Sequence, residues 1–367
     1  MGARRAADRV NRRAVNRDEA LGVAVVGAGG MGACHARHVA ALNGAEVRAV
    51  ADPDEAAGSA LAAEVGAAWY ADGLDAIDSV DGIDAVVIAS PDRFHHGSVM
   101  AALERSLPVL CEKPLTDELH DAKALVEAEV ALGSRLIQLG FMRQYDPAHA
   151  QVAEALASLG EVNHLRCVHR NSNYPARAVD RILVESLVHD VHSVRFLSGS
   201  EIAAVHALAV ERNGGVRFVL LNCLLENGGV ASIEFDESAS GYEVWVEVDA
   251  EHGNVVSTPP SRALVRSEGS VGSSIGDDWF APFLGTYRIE MEAWLDAARR
   301  GGVVGPSAWD GYVTQVVVAT SLASLSTGVP TPVDLPPRPA LYEHPSIREP
   351  SPDLARPDHE FDDKEQN

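Results

Sequence analysis

In Arg181-Ile182-Leu183-Val184-Glu185-Ser186-Leu187-Val188-His189-Asp190-Val191-His192, three side chains able to exchange protons, Glu185, His189 and His192, stand at i, i+4 and i+7. On a helix those positions share one face. Their neighbours are nearly all apolar, so a polar stripe there must find hydrogen-bond partners or line a wet cavity. His189 is the candidate general base, because an imidazole of unperturbed pKa about 6.5 can take a hydroxyl proton near neutral pH and return it. Glu185, one turn earlier, can orient that ring, raise its basicity or bind a second hydroxyl. A lone histidine on such a helix also occurs as a core residue bonded to a backbone carbonyl. One Glu and two His could hold zinc, but the stretch has neither HExxH spacing nor a nearby fourth ligand, and no metal is expected.

A second chemical group is Lys113 in Cys111-Glu112-Lys113-Pro114-Leu115. A lysine ammonium beside a reacting carbonyl or hydroxyl stabilises the oxygen as it gains negative charge. The following proline can adopt a cis bond at modest cost and fix the direction of the lysine. As an isolated tripeptide, Glu-Lys-Pro is also found as a solvated turn. The third group is Val23-Ala24-Val25-Val26-Gly27-Ala28-Gly29-Gly30-Met31-Gly32, an apolar strand running into glycines at GxGxxG spacing. Gly27 would allow a tight turn, Gly29 and Gly30 would let the backbone approach a pyrophosphate, and Gly32 would let helix and strand pack closely. Met31 lies within the same turn, at the helix N-terminus where phosphates bind. Asp52 ends the next strand about twenty residues on, where an acidic side chain accepts hydrogen bonds from ribose hydroxyls and repels a 2'-phosphate. The expected cofactor is therefore NAD. The alternative for Asp52 is that it caps a helix starting near Pro53.

These residues need elements to hold them. From Leu21 to Leu139 apolar strand segments alternate with helical ones, the pattern of a doubly wound parallel sheet whose ligands cross the carboxyl ends of the strands. The unbroken apolar run Ala85-Val86-Val87-Ile88-Ala89 fits a strand covered on both faces. Loops after the strands then place Ser90, Pro91, His95 and Glu112 as cofactor contacts. Beyond Tyr145 the rhythm changes to a helix over 148–159, a strand over 161–169, a long helix over 180–197, and strands separated by turns such as Asn213-Gly214-Gly215 and Asn227-Gly228-Gly229. Short turns imply antiparallel neighbours. The fold class is α/β: an NAD-binding Rossmann domain over 21–143, then an α+β domain over 144–335 on an open-faced, mostly antiparallel sheet. Residues 1–20 read as a flexible arm and 336–367 as an extended tail. One free sheet face predicts a homo-oligomer, a dimer or tetramer.

Composition narrows the classes. The 367 residues carry a formal net charge of -23 and a pI near 4.9, against nucleic-acid binding through phosphate neutralisation. No apolar run approaches the roughly 18 residues of a membrane span. Cys34, Cys111, Cys167 and Cys223 show no ligand spacing, and the start lacks the apolar core of a secretory signal, so a cytoplasmic setting is expected.

Taken together, Gly27-Ala28-Gly29-Gly30-Met31-Gly32, Glu112-Lys113-Pro114, Gly140-Phe141-Met142-Arg143 with Tyr145-Asp146, His169-Arg170-Asn171, Val188-His189-Asp190 and Gly305-Pro306-Ser307-Ala308-Trp309-Asp310-Gly311-Tyr312 resemble the Gfo/Idh/MocA oxidoreductase family. The likeness runs from about Leu21 to Tyr342 and is greatest to its bacterial inositol 2-dehydrogenases. It implies a tetramer that oxidises a ring hydroxyl with NAD, Lys113 as active-site lysine and His189 as proton acceptor. Glu185 stands where the family usually has Asp. The same resemblance puts Met142, Arg143, His169, Asn171 and Tyr242 around cofactor and polyol, and His192 where inositol dehydrogenases commonly carry another Asp. The two departures point to a cyclitol other than myo-inositol: deoxy, amino or methylated. The alternatives are a pyranose sugar dehydrogenase of the same family and a non-catalytic dinucleotide-binding regulator.

Overall fold

Six short apolar segments pair in parallel: β1 (Leu21–Val26), β2 (Ala45–Ala51), β3 (Ala68–Tyr70), β4 (Ala85–Ile88), β5 (Val109–Cys111) and β6 (Ile137–Leu139), in the order β3-β2-β1-β4-β5-β6. This computed structural model describes residues 20–172, 177–257, 265–267, 270–272 and 276–343. Residues 1–19 of the expected arm at 1–20 and 344–367 of the expected tail at 336–367 lie outside the described residues. The connecting helices are α1 (Gly30–Ala41), α2 (Glu55–Val65), α3 (Gly73–Ser79), α4 (His95–Glu104) and α5 (Leu119–Leu132). Side chains alternate across the sheet: Ala24, Val26, Val86 and Ile88 enter one core, while Val23, Val25, Ala85 and Val87 enter the other. That is why β1 and β4 are apolar without a break. The order reverses between β1 and β4, so their carboxyl ends splay helices apart and open a crevice.

The remainder builds a mixed sheet. After α6 (Pro147–Leu159) come β7 (Val162–Arg170), α7 (Val179–Ile182), a π-helical turn (Leu183–Leu187) and α8 (Val188–Ser198). Next are β8 (Ile202–Arg212), β9 (Gly215–Leu225), β10 (Val230–Asp236), β11 (Glu243–Ala250), β12 (Gly253–Val256) and a separate hairpin of β13 (Val265–Ser267) and β14 (Ser270–Gly272). Two helices, α9 (Leu284–Arg299) and α10 (Ala308–Thr327), precede the edge strand β15 (Thr331–Pro332). The strand order is β12-β11-β7-β10-β9-β8-β15, antiparallel throughout except for the pair β7 and β10. One face packs on α8 and α10. The other exposes Leu208, Val210, Leu224 and Val230 beside the ion pair Arg166–Glu234.

Helices α9 and α10 tie the two sheets. Met291, Trp294 and Leu295 join the core that contains Val23 and Val25, and α10 adds Val313 and Val317 to the core that contains Val86. Two sequence expectations need revision. The long helix over 180–197 is interrupted by the π turn, which widens the spiral just before His189. The tail from residue 336 is not uniformly extended: Ala340–Tyr342 forms a 3-10 turn, and the Tyr342 hydroxyl donates to Glu129 Oε2 at 2.7 Å.

Candidate active site

The glycine loop leaves β1 at Gly27, whose φ of +103° favours glycine and where a Cβ would lie 2.5 Å from the Ala89 carbonyl oxygen. At Gly32 a Cβ would sit 1.8 Å from Gly27 O, so no larger residue lets α1 close on β1. A Cβ on Gly29 or Gly30, by contrast, would meet nothing within 4 Å. That open side lies at the N-terminus of α1, which has no capping side chain, so its first amides are available to a pyrophosphate. The cradle thus fits a dinucleotide. Asp52 Oδ2 accepts from Ala28 N at 2.7 Å and Oδ1 from Asp54 N at 2.9 Å, which pins the end of β2 to the glycine loop. Asp54, not Asp52, caps α2 through Ala56 N and Ala57 N.

Beside this cradle is a cavity of about 310 Å³. It gathers Met31 from α1, Glu112 and Lys113 from the loop after β5, Met142 and Arg143 from the turn after β6, His169 and Asn171 from the end of β7, Glu185 and His189 from the helix, and Tyr242 from before β11. The Lys113–Pro114 peptide is cis. Lys113 Nζ donates to the Glu185 carbonyl oxygen at 2.9 Å. Burial lowers the Lys113 pKa, with Glu112 and Glu185 pulling the other way. His189 is driven well below the ordinary imidazole value by burial and by the nearby cations Lys113 and Arg143, so its ring is neutral at pH 7. Its Nδ1 has no hydrogen-bond partner among the described residues. A neutral base next to a cation can accept a hydroxyl proton while the cation stabilises the oxygen left behind.

Arg143 and His169 share one buried carboxylate. Arg143 Nη1 donates to Asp190 Oδ1, and His169 Nδ1 lies 2.9 Å from Asp190 Oδ2. Arg143 Nη2 is also 3.2 Å from that Nδ1, but the carboxylate contact is the shorter, and because a carboxylate only accepts, Nδ1 carries the proton and Nε2 is left as an acceptor. Glu112 Oε1 meets His35 Nε2 at 2.8 Å, which holds the carboxylate beneath the loop of Lys113.

Glu185 stands in the cavity wall with partners other than the imidazole, while His192 and His95 sit outside it. The Glu185 carboxylate is held by Arg177 and Arg181, so it orients these arginines and not the imidazole. His192 does not line the cavity: it is buried with its ring stacked on Phe141, centroids 4.2 Å apart, and burial lowers its pKa to about 3. His95 is buried between two loops, with Nδ1 2.9 Å from Pro114 O and Nε2 2.7 Å from Ser90 O. It therefore staples the loops after β4 and β5 and is not open to a cofactor. Ser90 and Pro91 flank the crevice without lining the cavity. Arg177, Ser186, Trp279 and Tyr287 line it and were not anticipated. Arg177 and Trp279 lie in loops without periodicity, where no sequence signal marks them.

A family model described as an oxidoreductase family with an NAD-binding Rossmann fold matches residues 21–141. An inositol 2-dehydrogenase of Rubrobacter xylanophilus is 40% identical over 335 residues, covering 88% of this chain and 96% of that protein. The chain belongs to the Gfo/Idh/MocA oxidoreductase family. A second relative, an inositol 2-dehydrogenase of Streptomyces avermitilis, is 39% identical, with 88% of this chain and 97% of the relative aligned. Among solved structures, myo-inositol dehydrogenase from Lactobacillus casei in complex with NAD(H) and myo-inositol superposes with a TM-score of 0.83 at 27% identity, covering 88% of this chain and all of the other.

Proposed function

We propose that this protein is an NAD-dependent dehydrogenase that oxidises a secondary ring hydroxyl of a cyclitol, myo-inositol or a substituted relative, to the ketone. The observation that carries the reading is the meeting of Lys113 and a neutral His189 in one cavity next to the dinucleotide cradle. NAD, when bound, supplies the hydride acceptor. His189 takes the proton from the reacting hydroxyl, and the Lys113 ammonium stabilises the oxygen as its charge grows. His169 Nε2, Asn171 and Tyr242 bind further hydroxyls, while Met31 and Met142 supply an apolar edge.

The test is NADH absorbance against a panel of cyclitols and aldoses. NADH formation with one or more cyclitols is expected. Greater activity on aldoses would make this a pyranose dehydrogenase, and no NADH with any polyol would overturn the dehydrogenase reading in favour of a dinucleotide-binding regulator.

Asp52 is proposed to select NAD over NADP by repelling a 2'-phosphate. Asp52→Ser removes the charge and should lower the NAD preference by about 10- to 100-fold, as expected when a close like-charge contact is relieved. An unchanged NAD/NADP ratio of kcat/KM would remove Asp52 from that role.

The exposed face of the mixed sheet, with Leu208, Leu224 and Val230 in one patch, is proposed to meet a second copy of the chain. Light scattering should then give a dimer or tetramer mass, and a monomer at micromolar concentration would refute it. Four buried, unpaired cysteines support a reducing compartment, the cytoplasm, as the setting.

A further inference from the structure

Beneath the loop of Lys113 lies a buried pair, His35 and Glu112, that the proton chemistry does not use. His35 comes from the second turn of α1, the helix whose N-terminus forms the dinucleotide cradle, and it is 0% exposed. Glu112 lines the cavity beside Lys113 and is itself buried. His35 Nε2 donates to Glu112 Oε1 at 2.8 Å, and the Lys113 backbone N donates to Glu112 Oε2 at 3.2 Å. The Glu112 backbone is fixed in turn, its N donating to Ile88 O at 2.8 Å. Because a carboxylate only accepts, Nε2 of His35 carries a hydrogen whatever the charge of the ring. Among the described residues no other side chain hydrogen-bonds Glu112.

Glu112 and Lys113 can hold their protons in two ways: as carboxylate with ammonium, or with both groups neutral. Burial favours the neutral arrangement, because it penalises each charge. It is the largest influence on both residues, pushing the Lys113 pKa down and the Glu112 carboxyl up. On Glu112, His35 and then Lys113 outweigh burial and hold the carboxyl below its ordinary value. Also facing Glu112 are Cys34 of α1, Cys111 of β5, and Tyr287 and Glu290 of α9. Burial raises the pKa of all four, so none of them supplies a cation in place of His35. Around Lys113, Arg143 and Arg177 disfavour the ammonium, His189 is neutral, and Glu112 supports it more than Glu185 does.

We propose that His35 is a positioning residue for Lys113: by holding Glu112 in place as a carboxylate, it keeps the lysine charged for the reacting oxygen. The proposal rests on the reading of Lys113 as the group that stabilises that oxygen. It adds that the charge is set from the cofactor helix, by a side chain that does not line the cavity. Without His35, burial decides. A proton then leaves the ammonium and, through solvent, one is gained by the carboxylate; an N–H bond breaks, an O–H bond forms, and the pair becomes neutral.

The chain has only three lysines, Lys113, Lys123 and Lys364, so the titration of Lys113 can be read directly from the pH dependence of its trace acetylation by acetic anhydride. Peptide mass spectrometry resolves it, and Lys123, more than half exposed, is the internal reference. His35→Phe keeps the volume, admits no water and removes the donor; it should move the Lys113 titration down by about one pH unit, a tenfold loss of proton affinity. Glu112→Gln should do the same, and the double variant should go no further, because the two side chains act as a unit. His35→Gln returns an amide N–H and should restore most of the shift. A Lys113 titration within about 0.3 unit of the parent in His35→Phe overturns the proposal, since that is less than a twofold change in proton affinity or little more. So does a shift in His35→Phe with none in Glu112→Gln, or a Lys123 titration that moves in step, which would mark a loosened fold. Should His35→Phe not fold, His35→Leu serves with the same criteria. The labelling needs no substrate, so the two readings fail separately. A parent that forms no NADH with any polyol loses the dehydrogenase reading while the titration still tests His35, and a parent that turns over with Lys113 unmoved in the variants loses only this proposal. Where cyclitols do turn over, the alkaline limb of kcat should move down with the Lys113 titration.

Discussion

Lys113→Ala should lower kcat on the best cyclitol roughly a thousandfold while the Kd for NAD changes by no more than about threefold. The size follows from how the ammonium is held. Its hydrogen bond is to a backbone carbonyl, Glu185 O at 2.9 Å, and not to a carboxylate side chain, so its charge is available to an oxygen that becomes anionic in the transition state. Burial depresses its pKa, which brings it closer to sharing a proton at neutral pH. In the ground state the hydroxyl is neutral and gains little from the cation; the loss therefore falls on kcat more than on KM. The cofactor cradle is built from the glycine loop and Asp52, on strands β1 and β2, so NAD binding reports that the variant is folded. A kcat within tenfold of the parent would remove Lys113 from the reaction, whatever its place in the cavity.

Asp190→Ala should destabilise the protein by about 3–5 kcal/mol in urea unfolding, the cost of leaving a buried charge without its partner. Arg143 and Asp190 are 2% and 1% exposed, so removing the carboxylate leaves a buried guanidinium without its anion. Burial raises the Asp190 pKa, but Arg143 and His169 outweigh it and hold the carboxyl below its ordinary value. The sign is that of a depressed acid: its contribution is complete above the ordinary carboxylate range near 4 and is lost as pH falls through the lower folded value. Asp190→Asn keeps the shape and an acceptor for His169, so it should lose less. A change below about 1 kcal/mol for Asp190→Ala would mean that Arg143 has another anchor. Since Asp190 also fixes the proton on His169 Nδ1, both variants should raise the cyclitol KM as the Nε2 acceptor is scrambled.

The glycine turn, the alternation of strand and helix, the strand end at Asp52 and the lysine loop were legible because each is encoded in contiguous residues whose spacing answers to backbone sterics or to side-chain period. The Lys113 loop and the His189 helix also carried their chemistry in their residue types. Helical spacing failed to give the partners of Glu185: its carboxylate meets Arg181 one turn back and Arg177 from the preceding loop, not the imidazole of His189. It failed again for His192, which rests on Phe141, and for His95, which spans Ser90 and Pro114. In all three the type of residue suggested a site, while its burial and partners were settled by segments far along the chain.

By itself, then, the order of residues determined a parallel sheet with a dinucleotide turn and supplied a lysine and a histidine fit for proton chemistry, since local conformation and intrinsic acidity belong to short stretches. Tertiary structure alone decided that these two share a cavity, and that Asp190, from behind its wall, holds Arg143 and His169 in place. The reason is physical: desolvation and hydrogen-bond direction are properties of what surrounds a side chain, and those surroundings exist only once strands distant in sequence lie next to one another.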